Sequence, residues 1–449
     1  MSQSRQPAAY SATRPLVLFG IMGVLFLSEA FVFGTWNTAL GILNMALISA
    51  IMALGVNMQW GYAGLFNTGI VGFVALGGLA PVLVSMPPHT DAILAGGWKI
   101  PVALLVGAAA LGLAIFAYGR LAGRVRGAAI IVILVGGFVL FRAILDPAVA
   151  VVEAMNPAYA GNIGGLGIDR IFGLHAGVIL SWPVGALFAA AAAWAIGKIS
   201  LGLRSDYLAI ATLGIGEIII AVLKNEDWLA RGVKNVTDIP QPVPYEIDLQ
   251  QSVWWQGWAE FFGTNPVTFS TIFVKLCWLG YLVVILVALI WLTERALKSP
   301  WGRMMRAIRD NEVAAEAMGK NVTGRHLQVF ILGSAICGLA GAMMVTMDSL
   351  ITPSAYTPLR FTFLIWVMVI VGGSGNNWGS VLGAFLIYFL YIKVEAWGPG
   401  LMTYLTSGMA EGPLKAHLQD VSAHARLLTL GVILLLVLRF SPRGLLPEK

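Results

Sequence analysis

Residues 328–347 read QVFILGSAICGLAGAMMVTM, a run without a single charge. The hydrocarbon core of a bilayer is roughly 30 Å thick, and a helix rising about 1.5 Å per residue crosses it in about 20 residues. Comparable runs lie at 15–34, 38–58, 64–86, 99–118, 127–145, 178–197, 207–224, 273–293, 361–373, 378–393 and 426–440. The runs at 361–373 and 378–393 are short and flank Gly372-Gly373-Ser374-Gly375, which predicts two tilted helices or one helix broken within the membrane. The run at 64–86 follows Gly61-Tyr62-Ala63-Gly64 and is expected to be broken as well. The predicted fold is an all-α polytopic membrane protein with ten to twelve transmembrane helices.

Composition agrees. Of 449 residues, 58% are hydrophobic and 11% charged, whereas about a quarter of a soluble domain is charged. An ordinary water-soluble enzyme, a disordered tail and a nucleic-acid binder are excluded. Cys277 and Cys337 lie in apolar runs and form neither a disulfide framework nor a zinc spacing. Arg5 and Arg14 precede the first run as in a signal peptide, but no small-residue cleavage site follows and a second span begins almost at once. An uncleaved first helix is expected.

Lys and Arg set the orientation. With twelve spans, Arg5 and Arg14, Arg120 to Arg126, Lys198 and Arg204, the many bases of 294–327, and Arg439, Arg443 and Lys449 share one side. That side is predicted to be the cytoplasm, with both termini on it. The formal net charge of +6 then follows from topology and implies no nucleic-acid partner. The predicted organisation is a cytoplasmic tail at 1–14, a transmembrane domain at 15–440 and a cytoplasmic tail at 441–449. Within the domain, the acidic segment 225–272 is expected outside. Its Trp228, Trp254, Trp255 and Trp258 suit either a belt lying flat at the interface or a docking surface for a solute receptor.

The segment 294–327 is the one large inner segment. Ser299-Pro300 is a helix-start signal. Arg303, Arg306 and Arg309 recur every three residues and predict one basic face. Ala314-Ala315-Glu316-Ala317 favours helix, and Gly319 is a stop. One or two short helices are expected on the inner membrane face. Either they anchor the topology, or they dock on a cytosolic partner and pass rigid-body motion to the spans.

Charges within spans cost about 2.5–3.5 kcal/mol on insertion scales, which singles out Glu29, Arg142 and Glu217. Glu217, in mid-span, is expected to face a pathway, to pair with a base such as Arg142, or to lock helices together. Glu29 and Arg142, nearer span ends, are expected to snorkel. One central acid is fewer than a proton-driven carrier would align across its spans. Gly333, Ser334, Gly338, Gly341 and Ala342 suit close helix packing. Broken helices at Gly61–Gly69 and Gly372–Gly379 would instead expose peptide dipoles to a cavity. Gly61, Tyr62, Gly64, Asn67, Thr212, Glu217, Gly372 and Gly373 are therefore candidate path residues. A largely uncharged path suits a zwitterionic or neutral small solute.

No phosphate-cradling GxxxxGK[ST] motif is present, since Gly197-Lys198 is followed by Ile199. Metalloprotease, nucleophile-elbow and paired-cysteine motifs are likewise missing from the sequence. His89, His175, His326, His417 and His424 fall in predicted loops or at span ends, where solvated side chains are expected. Neither catalytic residues nor a cofactor or metal are expected.

The stretch from Ser299-Pro300-Trp301-Gly302-Arg303 to Asn311-Glu312-Val313-Ala314-Ala315-Glu316-Ala317-Met318-Gly319 resembles the coupling segment of ABC importer permeases. More narrowly, it is similar to the branched-chain amino-acid permease family in its LivM-like branch. Leu203-Arg204-Ser205-Asp206-Tyr207 through Gly216-Glu217-Ile218 extends the likeness. So do Leu54-Gly55-Val56-Asn57 before Gly61-Tyr62-Ala63-Gly64, Trp378-Gly379-Ser380 after Gly372-Gly373, and the tail Ser441-Pro442-Arg443-Gly444-Leu445. The chain departs from the family at Leu65-Phe66-Asn67-Thr68-Gly69, at Arg231–Asp238, and in long outer segments at 146–177 and 225–272, where solute or receptor would be met.

The resemblance implies a permease subunit of an ABC importer in the bacterial inner membrane. It implies a second, homologous or identical membrane subunit, cytosolic ATPase subunits and a periplasmic solute-binding protein. The ATPases would grip 299–319, with Arg303, Arg306, Arg309, Glu312, Ala315, Glu316 and Gly319 as coupling residues. The implied solute is a branched-chain or other apolar amino acid. A urea or short-amide permease of the same family is the alternative, and a stand-alone carrier or channel is the alternative from another class.

Overall fold

The computed structural model describes residues 13–155, 164–169, 177–409, 412–421 and 425–448. Arg5, His175, His424 and Lys449, and with them most of the expected N-terminal tail, lie outside the described residues. Among those described, nine helices are long and apolar enough to cross a membrane, and Ile70–Ser85, Leu359–Gly372 and Leu428–Phe440 are shorter apolar helices.

The first half comprises α1 (Thr13–Ser28, extended by a π turn Glu29–Phe33), α2 (Trp36–Ala63), α3 (Ile70–Ser85), α4 (Lys99–Arg120), α5 (Gly123–Ala154), α6 (Gly177–Ser200) and α7 (Ser205–Asn225). After the segment expected outside come α8 (Pro266–Lys298), then α9 (Pro300–Asp310) and α10 (Glu312–Ala317) of the segment expected inside, and the two are called outer and inner on that expectation. The chain returns through α11 (Val322–Asp348), a π turn Leu359–Phe363 leading into α12 (Leu364–Gly372), α13 (Asn377–Leu405) and α14 (Ala425–Phe440).

Two helices form the centre. α2 and α11 are the most enclosed of the long spans, and α11 packs on α2, α3 and α6. Glycine permits this approach. A Cβ at Gly338 would press on Ala189 and on the Gly185 carbonyl of α6, and one at Gly77 of α3 would collide with Gly338 itself. The small-residue run of 333–342 therefore serves helix contact, in which backbones touch and dispersion replaces a hydrophobic drive that lipid cannot supply. α4 and α5 form a peripheral hairpin. Its small core of Ile100, Ala103, Leu145, Ala148 and Val152 meets Trp228 of the outer segment. The rest of its apolar surface faces outward, as a bilayer allows and water does not.

The inner segment, the start of α1 and the C-terminal tail share one end of the bundle. Pro15, Arg306, Leu446 and Glu448 line one cavity there. Leu445 and Leu446 donate backbone hydrogen bonds to the last carbonyls of α12, Val371 and Gly372, both at 2.8 Å. At the other end, the outer segment is stitched to the chain after α11 by paired backbone bonds between Val236 and Ile351. Trp255 turns inward against Phe269 and Phe273 of α8 and Trp228 is buried, while Trp254 and Trp258 stay exposed. The flat tryptophan belt is thus only half realised.

Glu29 does not snorkel. It is 2% exposed and forms an ion pair with Lys393 of α13. The Thr38 hydroxyl donates to its carboxylate at 3.4 Å. The π turn after Ser28 carries Glu29 to the inner side of α1, where α13 supplies the counter-charge. Arg142 pairs with Asp146, one turn on, at 3.0 Å. Removing one member of a buried pair leaves the other charge uncompensated, at a cost of about 3–5 kcal/mol. Lys393→Leu is expected to lower the thermal midpoint of the detergent-solubilised protein sharply, and adding Glu29→Gln should restore most of the loss. A single variant as stable as the wild type would show that the pair contributes nothing.

Candidate functional site

The inner segment folds as two short helices, each with its own start. Pro300 occupies the first turn of α9, where a missing N–H costs nothing. The Ser299 hydroxyl, expected to cap α9, donates back to the Ala296 carbonyl at 2.6 Å instead. Asn311 caps α10, its side-chain oxygen accepting the Ala314 N–H at 2.9 Å. Gly319, at φ +76°, closes α10 as expected of a residue that adopts the left-handed region freely. Met305, Ile308 and Ala315 are buried against the bundle.

The three arginines do not form one basic face. Steps of three residues lag a helical turn by about 60°, so Arg309 stands about 120° around from Arg303. Arg303 is exposed, and its Nη1 donates to the Lys298 carbonyl at 3.3 Å. Arg306 reaches the Leu297 carbonyl at 3.4 Å. Arg309 turns inward, donating to the Gly61 carbonyl of α2 and pairing with Glu448 of the tail at 2.8 Å. What faces away from the bundle is mixed: Asp310, Glu312 and Glu316 with the apolar Val313 and Met318. Val313 and Met318 are 76% and 77% exposed, large for apolar side chains set among acids.

The stretches at 64–69 and 373–376, where breaks are expected, are non-helical links, the first between α2 and α3 and the second between α12 and α13, and they adjoin each other. α2 ends at Gly64, φ +70°, where the Gly64 and Leu65 N–H groups return to the Trp60 and Gln59 carbonyls at 2.9 Å. The chain is non-helical from Gly64 to Gly69, and α3 is continuous beyond it. Asn67 organises this stretch: its amide donates to Gln59 at 2.9 Å and its oxygen accepts the Gly69 N–H at 2.9 Å. Gln59 in turn donates to Phe330 and Ser334 of α11, at 3.0 and 3.1 Å. Thr212 of α7 accepts the Thr68 N–H at 3.1 Å. The second break, between α12 and α13, runs through Gly373 at φ +120° and Gly375 at φ +80°. The Gly375 N–H donates to Asn57 of α2 at 2.8 Å, and Asn57 donates to Asn377 at 3.2 Å. Trp366 of α12 donates to the Asn67 carbonyl at 3.0 Å.

The proposed path residues separate into three groups. Gly61, Gly64, Asn67, Thr212, Gly372 and Gly373 meet in this junction, but they are packed rather than open to a channel: Gly61 abuts Gly375, and Gly372 abuts the Gly379 carbonyl. Tyr62 lines an inner cavity of about 450 Å³ with Glu294, Arg306, Asn377 and Glu448. Glu217 lies apart, exposed on the outer side of α7. It is not paired with Arg142, which is bound to Asp146. His326, expected in solvent, is buried beside the end of α2.

Sequence reasoning missed Asn57 and Gln59, whose signal was plain: two amides inside an otherwise apolar run. It also passed over Lys275 of α8, whose ammonium donates to the Asn37 carbonyl in the first turn of α2 at 3.0 Å and so ties the two helices together.

Residues 147–438 match the family described as branched-chain amino acid transport system permease component. The high-affinity branched-chain amino acid transport permease protein LivM of Salmonella typhimurium is 28% identical over 59% of this chain and 56% of its own length, and that of Escherichia coli matches equally. The chain thus spans little more than half the length of these two relatives. The probable LivM of Methanocaldococcus jannaschii is 25% identical over 89% of this chain and 90% of its own. No solved structure matches the chain.

The junction yields a direct test. A Cβ on Gly372 would strike the Gly379 carbonyl oxygen, whereas Gly112 of α4 has nothing within 4 Å. Overpacking costs about 1–3 kcal/mol. Gly372→Ala is expected to reduce the amount of folded protein in the membrane and its thermal stability, with Gly112→Ala unchanged. Equal behaviour of the two variants would mean that α12 and α13 do not need this approach.

Proposed function

We propose that this chain, which belongs to the branched-chain amino acid transport permease family, is one membrane subunit of an ATP-driven importer of branched-chain or other apolar amino acids. ATP hydrolysis falls to separate cytosolic subunits that grip α9 and α10, and a periplasmic binding protein delivers the solute. The coupling segment then faces the cytoplasm, both termini lie on that side, and the membrane is the bacterial inner membrane.

The observation that carries this reading is the mounting of α10. Its outward surface carries Glu312, Val313, Glu316 and Met318. Behind it, Arg309 ties the preceding helix to the Gly61 carbonyl, three residues before the first break opens at Gly64. From Asn57, one turn up α2, the connection continues to Gly375 in the second break. Force applied to α10 therefore reaches both places where the membrane helices are interrupted, and interrupted helices absorb rigid-body motion at low cost. A purely interfacial anchor would not need this fixed attachment.

Glu217 supports the second membrane subunit. It stands in mid-helix on an exposed face beside Ile218 and Ile210. Lipid is a poor neighbour for a carboxylate, at about 2.5–3.5 kcal/mol on insertion scales. A second helical subunit offering a donor or a base would cover it.

Glu316→Lys places a like-for-unlike charge in the gripped surface, a mismatch that costs several kcal/mol in a docked interface. Leucine uptake by cells carrying the whole transporter is expected to fall roughly tenfold or more, with membrane abundance unchanged. Uptake at the wild-type rate would remove this carboxylate from the coupling contact. A photo-cross-linking residue at position 217 is expected to capture a second membrane subunit, and one at Ile131 on the exposed side of α5 to capture none. Capture of lipid alone at 217 would place the partner elsewhere.

A further inference from the structure

We infer that the end of the bundle away from the coupling segment holds a binding cavity for a zwitterionic α-amino acid, with Asp348 taking the ammonium group and Arg360 the carboxylate. This rests on the amino-acid permease reading and adds the residues that hold the solute.

α11 leaves the coupling segment at Val322 and runs 27 residues to Asp348, about 40 Å at 1.5 Å per residue. Asp348 therefore stands at the opposite end. Arg360 lies in the π turn Leu359–Phe363 that heads α12, an irregularity that re-aims side chains and recurs at functional sites. Both residues line one cavity of about 210 Å³, walled by the apolar Met344, Leu350 and Phe361. That is below the roughly 300–1,000 Å³ of sites for drug-sized ligands, and it suits a smaller solute. The guanidinium stacks on Phe361 at 5.1 Å, and Tyr388 lies beside it.

Both charges line the same cavity, yet no ion pair joins them among the described residues. Elsewhere in the same molecule such partners close up, as Glu29 does with Lys393 and Arg309 with Glu448. Opposite charges held apart across a cavity match a ligand that carries both signs. An arginine fork takes a carboxylate bidentately, and a carboxylate takes an ammonium through charge-assisted hydrogen bonds. The walls accept an apolar side chain, and the thioether of Met344 adapts to its shape. Urea or a short amide would leave both charges unmatched, so the site separates the solute classes within the family.

The test is equilibrium binding of radiolabelled leucine, up to millimolar concentration, to the full chain in lipid nanodiscs. Leucinamide lacks the carboxylate and 4-methylpentanoate lacks the amine. Each is expected to compete roughly tenfold or more weakly than leucine, the loss of one charge-assisted contact. In Asp348→Asn the distinction between leucine and 4-methylpentanoate should disappear, and in Arg360→Gln that between leucine and leucinamide. The wild-type competition needs no variant to fold. No saturable leucine binding, equal competition by all three compounds, or variants that keep the wild-type preferences would each overturn the site. Chain-dependent leucine uptake by cells is measured in parallel: its persistence alongside any of those results sinks the site alone, and its absence sinks the permease reading.

Discussion

Everything at the α9 end of the bundle depends on one constraint: a buried peptide group that has lost its helical partner must find another. The chain interrupts its helices twice, at 64–69 and 373–376, and each interruption frees N–H and C=O groups. Polar side chains from other helices take them up. Asn57 receives the Gly375 N–H, Thr212 the Thr68 N–H and Thr362 the Val71 N–H, while Trp366 donates to the Asn67 carbonyl and Arg309 to that of Gly61. Five elements are thereby fastened to each other at the points where each is weakest. The same bonds that satisfy the backbone also define which helices move together.

The division of labour among small and polar residues follows. Where glycines stack, at Gly77, Gly185 and Gly338, they bring three backbones into contact and fix the relative position of α3, α6 and α11. Where amides cluster, along Asn57, Gln59 and Asn67, they tie α2 to α11, to the 64–69 link and to the start of α13. Close packing resists sliding, because backbone contacts have no slack. Hydrogen bonds at a break can exchange partners at small cost. The second kind of contact lies directly behind α9 and the first lies farther along the bundle, the arrangement of a compliant joint beside a stiff arm that the proposed coupling role would use.

Much of this was legible in the sequence because a membrane span is a one-dimensional signal. Apolar length located the nine long helices and the three shorter apolar ones among the described residues, although the run at 378–393 belongs to a 29-residue helix and is not short, and Gly61–Gly64 and Gly372–Gly375 marked where helices end. Ala314–Ala317 and Gly319 acted locally, so α10 and its end were readable too. What failed were statements about direction. Arg309 shares a three-residue spacing with Arg303 but faces the protein, because spacing fixes the angle between side chains and not which of them meets a neighbour. Glu29 looked like an end-of-span residue, but a π turn rotates it inward to Lys393, some 360 positions away in the chain. Glu217 looked interior and is exposed. Hydropathy averages over the helix circumference and carries no information about azimuth once every face is apolar.

The placement of charge at the two ends shows why azimuth matters for work. At the inner end, Arg309 is closed upon Glu448 and Gly61, so its charge is already compensated and acts as a mechanical tie. At the outer end, Asp348 and Arg360 stand across a cavity without closing. A closed pair transmits displacement but recognises nothing, since a ligand would have to replace contacts already made. An open pair transmits little but is improved by any ligand that bridges it. Under the proposed function, response to a solute at one end and to a separate motor at the other calls for one of each. They are joined here by α11 and α2, the two most enclosed long helices in the bundle.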